Sequence, residues 1–143
     1  MGVDQHPPCR RARIPEVVTG SSANGFAETL SNLLGAITGR GLAVFAQFDH
    51  AAAARDVGLE MAPEVVVVFG NPRAGTPLMQ SDPRIGVELP LRMLLWEADG
   101  VTMVGYNDPR DLDASYAVGE QITTLETMSK LLADLAHEAA AKR

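Results

Sequence analysis

A chain of 143 residues, 46% hydrophobic and 21% charged, is long enough to bury one core without disulfides or metals and too short for two comfortable domains. No apolar run approaches the ~18 residues of a membrane-spanning helix, and Met1 to Pro8 holds no apolar segment of the secretory kind, so the cytoplasm is the expected compartment and a membrane is not an expected partner. The net charge of −6 is uneven, because from Ile14 onward 9 basic residues face 17 acidic ones; such a body repels phosphate backbones and argues against nucleic acid as a partner.

Residues 1–15 mix prolines, arginines and polar residues without either structural period, which predicts a mobile tail ahead of a single domain over 16–143. The one cysteine, Cys9, lies in it and has no internal disulfide partner. Glu16 to Thr19 reads as a first strand, followed by the turn chemistry of Gly20 to Gly25. Phe26, Leu30, Leu33, Leu34 and Ile37 then form one apolar stripe at helical spacing, ended by Gly39-Arg40-Gly41. Leu42 to Phe48 reads as a strand with Leu42, Val44, Ala46 and Phe48 on one face, and Asp49 as the cap of a short helix that stops at Gly58.

The central stretch is Val65-Val66-Val67-Val68-Phe69-Gly70-Asn71-Pro72-Arg73-Ala74-Gly75-Thr76-Pro77. Four valines and a phenylalanine predict a buried strand, two glycines permit a tight reversal, and Thr76-Pro77 predicts a capped helix start. Asp82-Pro83 ends that helix; Leu89 to Glu97 resumes the strand pattern, with Pro90 confined to its start, an edge or a bulge. Asp99-Gly100 predicts a hairpin into Val101 to Tyr106. A short helical segment from Asp111 to Val118 precedes a long amphipathic helix from Glu120 to about Ala140, carrying Ile122, Leu125, Met128, Leu131, Leu132 and Leu135 on one face.

This order predicts an α+β fold, a two-layer α/β sandwich with a mostly antiparallel sheet and helices on one face. Val65 to Phe69 is apolar on both faces, as is the strand carrying Leu94 and Trp96 opposite Leu91, Met93 and Leu95. Helices cover one face of such a sheet, so the second apolar face implies a cavity or a second chain, and a homodimer is expected.

Gly70-x-x-x-x-Gly75-Thr76 has the glycine spacing of a phosphate-binding loop, but the lysine that should follow the second glycine is absent and Pro77 offers no N–H. The remaining alternatives are a helix start that holds a small anion with Arg73 nearby, or a corner without ligand. His50 is a candidate base, although one histidine without further His or Cys at ligand spacing does not make a metal site. Glu88, Glu97 and Asp108 flank the hairpin strands and can act as acid or base only if the sheet pairs them. There is no G-x-S-x-G elbow and no thiol in the body of the chain.

Phe69 to Gln80, followed by Leu89 to Glu97 and Tyr106-Asn107-Asp108-Pro109, together with Asp49-His50, resembles the domain-of-unknown-function 302 (DUF302) family over about Val17 to Val118. The resemblance implies a compact α+β domain with a mostly antiparallel sheet, often dimeric, and no established activity. The family's recurrent polar positions fall here on His50, Asn71, Thr76, Gln80, Asn107 and Asp108. Three functions are therefore expected: a small dimeric module binding an anion or metabolite through Asn71, Arg73, Gly75, Thr76, Gln80 and Asn107; a hydrolase or lyase using His50 with Asp108 or Glu97; or a structural or regulatory dimer.

Overall fold

The run Val65 to Val68 has strands on both sides of it, so its backbone N–H and C=O groups are paired along both edges. The computed structural model describes residues 16–142; the expected tail over 1–15, with Cys9, lies outside the described residues. The chain runs β1 (Val17–Ser21), α1 (Phe26–Gly39), β2 (Ala43–Asp49), α2 (His50–Asp56), β3 (Glu64–Gly70), α3 (Pro72–Ser81), β4 (Leu91–Ala98), β5 (Val101–Asn107) and α4 (Ile122–Ala140). Short 3-10 segments at Pro83–Val87, Pro109–Ala114 and Gly119–Gln121 link the later elements.

The five strands form one sheet in the order β1-β5-β4-β3-β2, with every neighbouring pair antiparallel. The architecture is the α+β sandwich read from the sequence. Val65, Val67 and Phe69 of β3 and Leu91, Met93 and Leu95 of β4 face the helical layer, and are buried there with Leu33 and Ile37 of α1 and Leu125, Leu132 and Leu135 of α4. Burying each such side chain contributes about 1.5–3 kcal/mol, which makes this layer the main source of stability.

Local chemistry sets the turns. Asp49 caps α2, its Oδ1 accepting the Ala52 N–H at 2.8 Å, and Gly58 beyond that helix has φ +80°. Between β4 and β5, Asp99 and Gly100 both have positive φ, 51° and 78°, the pair of left-handed residues that a two-residue hairpin requires. Pro90 stands immediately before β4, where its missing N–H removes no ladder bond.

Two expectations are corrected. The strand β2 does not keep Leu42, Val44, Ala46 and Phe48 on one face: Val44 pairs with Phe69 but Ala46 pairs with Val68, so Phe45 is the extra residue of a β-bulge. The bulge sends Ala46 and Phe48 to the open side of the sheet, opposite Val68 and Val66. Nor does a helix begin at Thr76-Pro77. It begins at Pro72, capped by Asn71, whose Oδ1 accepts the Arg73 N–H at 2.9 Å. Asn71-Pro72 presents a capping side chain and a first-turn proline five residues before Pro77, and this earlier cap prevails; Pro77 then costs α3 a single internal hydrogen bond.

Candidate functional site

The helix start at Asn71 is fully committed. Pro72 has no N–H, Arg73 gives its N–H to Asn71 Oδ1, and Ala74 and Gly75 give theirs to the Asn71 carbonyl at 3.0 and 3.2 Å. Gly75, expected in a phosphate-like turn, lies inside α3. With its first backbone N–H groups occupied, this helix start has none of them to offer a small anion.

What the stretch builds instead is one wall of a pocket of about 400 Å³. Asn71, Gly75, Thr76 and Met79 of α3 line one side, Met128 and Leu131 of α4 another, and Leu42, Phe45 and Leu89 close it at the end of the sheet. The lining is overwhelmingly carbon. Phe45 reaches it because of the β2 bulge: a Cβ placed on Gly70 would stand 3.6 Å from the Phe45 ring. Gly75 keeps the α3 wall low, since a Cβ there would lie 3.5 Å from Leu89 Cδ1.

A clasp holds the pocket's floor. Asp82, its side chain 6% exposed, accepts from Arg84 Nη2 at 2.8 Å and from the Ala117 N–H at 3.0 Å. The Arg84 guanidinium, with the Ala117 N–H, holds the Asp82 carboxyl far below the usual carboxylate range. Arg84 also lies 5.8 Å from the centre of the Tyr116 ring, and the Tyr116 hydroxyl donates to Glu88 at 3.1 Å. These bonds tie the segment after α3, which brings Gly86 and Leu89 to the pocket, to the segment before α4.

The remaining sequence candidates separate. Asn71, Gly75 and Thr76 line the pocket; Arg73 and Gln80 lie on the same helix outside its lining. Asn107 and Asp108 line a neighbouring hollow of about 60 Å³, which shares only Leu89 and Leu91 with the pocket. Asp108 is paired with Arg110, Oδ2 to Nη2 at 2.7 Å, and that guanidinium lowers its pKa. His50 stands after β2 and Asp108 after β5. β3 and β4 lie between those strands, so three strand spacings, about 14 Å, separate them. Glu97, on β4, is two spacings from β2, about 10 Å. The register also sets His50 and Asp108 at opposite ends of the sheet, so that pairing does not reach the ~3 Å needed for proton transfer; the two spacings between His50 and Glu97 are a backbone separation that two side chains can bridge. No group of three or more His, Cys, Asp or Glu among the described residues is placed to hold a metal.

Phe45, Leu89, Met128 and Leu131 were legible in the sequence only as strand or helix residues. The signal that could have found part of the site is the width of the α4 stripe: Leu131 adjoins Leu132 and so lies about 100° around the helix from it, outside the narrow seam that docks on the sheet.

A family model described as "Domain of unknown function DUF302" matches residues 18–137. Curated relatives include the fluoride-specific ion channels FluC 1 of Brucella suis biovar 1 (strain 1330) and FluC 1 of Brucella abortus biovar 1 (strain 9-941), each 35% identical over 116 residues. The match covers 80% of this chain but 46% and 43% of those relatives, so the chain spans less than half their length. The crystal structure of an uncharacterised conserved DUF302 protein from Bacillus stearothermophilus superposes with a TM-score of 0.78 at 21% identity, over 86% of this chain and 97% of that one. That likeness concerns the fold.

Proposed function

The chain belongs to the DUF302 family, and from that premise we propose that it is a small-molecule-binding module whose ligand seat is the apolar pocket between α3 and α4. The observation that carries this reading is the pocket of about 400 Å³, within the ~300–1,000 Å³ range of small-molecule sites, with carbon walls and a few polar groups at one rim. Its composition favours an apolar or amphipathic metabolite over a small inorganic anion, because a desolvated charge in carbon walls lacks compensating partners. The test is displacement of a fluorescent apolar probe such as anilinonaphthalene sulfonate, in the wild type and in Gly75→Leu. The added side chain enters the pocket and improves helix propensity. Probe binding in the wild type and its loss in a folded Gly75→Leu support the reading; equal binding by the two overturns it.

We propose further that two copies associate through the open face of the sheet. Phe48 is 55% and Val17 48% exposed, and Val66, Leu94, Trp96 and Met103 stand on the same side of the register. Five strands of about six residues present a face of about 24 by 20 Å, below the ~800 Å² per partner of a standard interface. A concentration-dependent dimer suits it. A strictly monomeric protein by light scattering at micromolar concentration overturns this part.

A second reading makes the module regulatory. Identity of 35% across 80% of this chain to proteins named fluoride-specific ion channels favours a role beside a fluoride-handling membrane protein. No helix among the described residues is long and apolar enough to cross a membrane. Co-purification of the full chain with a fluoride channel in detergent tests it; failure of the two to associate counts against it.

A further inference from the structure

We propose that the ligand of this pocket is a monocarboxylic acid with an apolar tail, of the medium-chain fatty acid kind, its carboxylate at Asn71 and Thr76 and its tail against α4. The inference rests on the pocket being a ligand seat and adds the class of ligand.

The polar groups of the lining decide it. Thr124 Oγ1 is bonded to Gln121 Oε1, at the N-cap of α4, at 2.9 Å, and Thr127 Oγ1 donates to the Thr123 carbonyl at 3.0 Å, so both α4 hydroxyls have partners. Asn71 has spent its Oδ1 on the cap, while its Nδ2 donors and the Thr76 hydroxyl have no partner among the described residues. Asn71 is the N-cap of α3 and Thr76 its fifth residue, so both belong to the α3 wall of the pocket. The uncommitted polarity of the pocket is therefore confined to the α3 wall, facing the apolar side chains of α4, which calls for a ligand with a polar group and an apolar tail.

Charge selects the head group. Arg73, three residues before Thr76 and so neighbouring it along the helix surface, has no ion-pair partner among the described residues and is exposed. An exposed guanidinium beside two side-chain donors suits a carboxylate. Asn71 and Thr76 are themselves exposed, so the charged head stays at the water-filled mouth and avoids the desolvation that the carbon interior would impose. The tail runs inward against Leu42, Leu89, Met128 and Leu131, and the two methionines of the lining, Met79 and Met128, adapt to its shape. The backbone N–H groups of the helix start are occupied, so recognition falls to side chains.

The experiment is calorimetric titration with submicellar hexanoate, octanoate and decanoate, and with methyl decanoate and decanol, on the wild type, Arg73→Gln, Thr76→Val and Gly75→Leu. Affinity is expected to rise by about threefold to fourfold per methylene until the tail fills the cavity. Decanoate is expected to bind about tenfold more tightly than its methyl ester, an advantage that falls to threefold or less in Arg73→Gln and Thr76→Val. Acid and ester binding equally to the wild type, with both lost in Gly75→Leu, overturns the carboxylate while leaving the pocket as a ligand seat. Binding unchanged in Gly75→Leu, or no binding by any of the five compounds, overturns this inference, and with unchanged probe binding in Gly75→Leu the seat as well.

Discussion

Trp96 lies over Gly105 on the open face of the sheet: a Cβ added to Gly105 would stand 2.8 Å from Trp96 Cζ3 and 2.9 Å from Val17 Cγ1. The indole of β4 thus lies against the bare backbone of β5, with Val17 of β1 on the same glycine, where no helix covers them. Replacement Gly105→Ala forces the ring or Val17 aside, and the expected cost is about 1–3 kcal/mol. A lowered urea midpoint with a shifted Trp96 emission checks it, since the chain has one tryptophan.

Phe48 extends that face toward the β2 edge. If two copies meet there, Phe48→Lys places a charge within an apolar contact and leaves each protomer's helical core intact, because Phe48 is 55% exposed. Light scattering across a dilution series should show the wild type approaching twice the monomer mass and the variant staying at the monomer mass.

Asp82 links acid stability to the pocket floor. Its pKa is lowered in the folded chain, so its contribution is complete above the ordinary carboxylate pKa of about 3.9 and is lost as pH falls below that value toward the folded pKa. Asp82→Asn should therefore be less stable than the wild type at pH 7, and the gap should narrow below about pH 4. Urea midpoints at pH 7, 4 and 3 measure it; a gap that stays constant with pH contradicts the assignment.

Gly75 sits inside α3 with ordinary van der Waals room for one carbon. Gly75→Ala should stabilise the chain by about 0.5–1 kcal/mol through helix propensity, raising the melting temperature by a few degrees, and narrow the pocket only slightly. Differential scanning calorimetry reads the shift.

The β4–β5 turn offers the opposite case. Gly100 holds φ +78° with open space around it, so Gly100→Ala meets no neighbour and is penalised by backbone strain alone, about 1–2 kcal/mol. Denaturant unfolding of Gly100→Ala beside Gly75→Ala should give changes of opposite sign, which separates conformational from steric effects at glycine.

Much of the architecture was legible because its signals are local. The α1 stripe, the Asp49 cap and the Asp99-Gly100 hairpin each depend on residues within a few positions of one another. The misreadings also have local causes. Asn71-Pro72 and Thr76-Pro77 are both sound helix starts, and the choice went to the earlier one. An alternating pattern over Leu42 to Phe48 contains no mark of the bulge at Phe45, which the pairing of β2 with β3 imposes.

By itself the sequence determined the secondary elements, the antiparallel α+β layering and the acidic, single-cysteine character of the chain, since these follow from residue period, turn chemistry and composition. Tertiary structure alone decided which side chains meet. It set His50 and Asp108 three strands apart, gave the α3 donors to Asn71, and joined Phe45, Gly75 and Leu131, residues remote in the chain, around one cavity. The reason is physical: hydrogen bonding and helix or strand period act between near neighbours, whereas a pocket is the space left where separate elements fail to fill the volume between them.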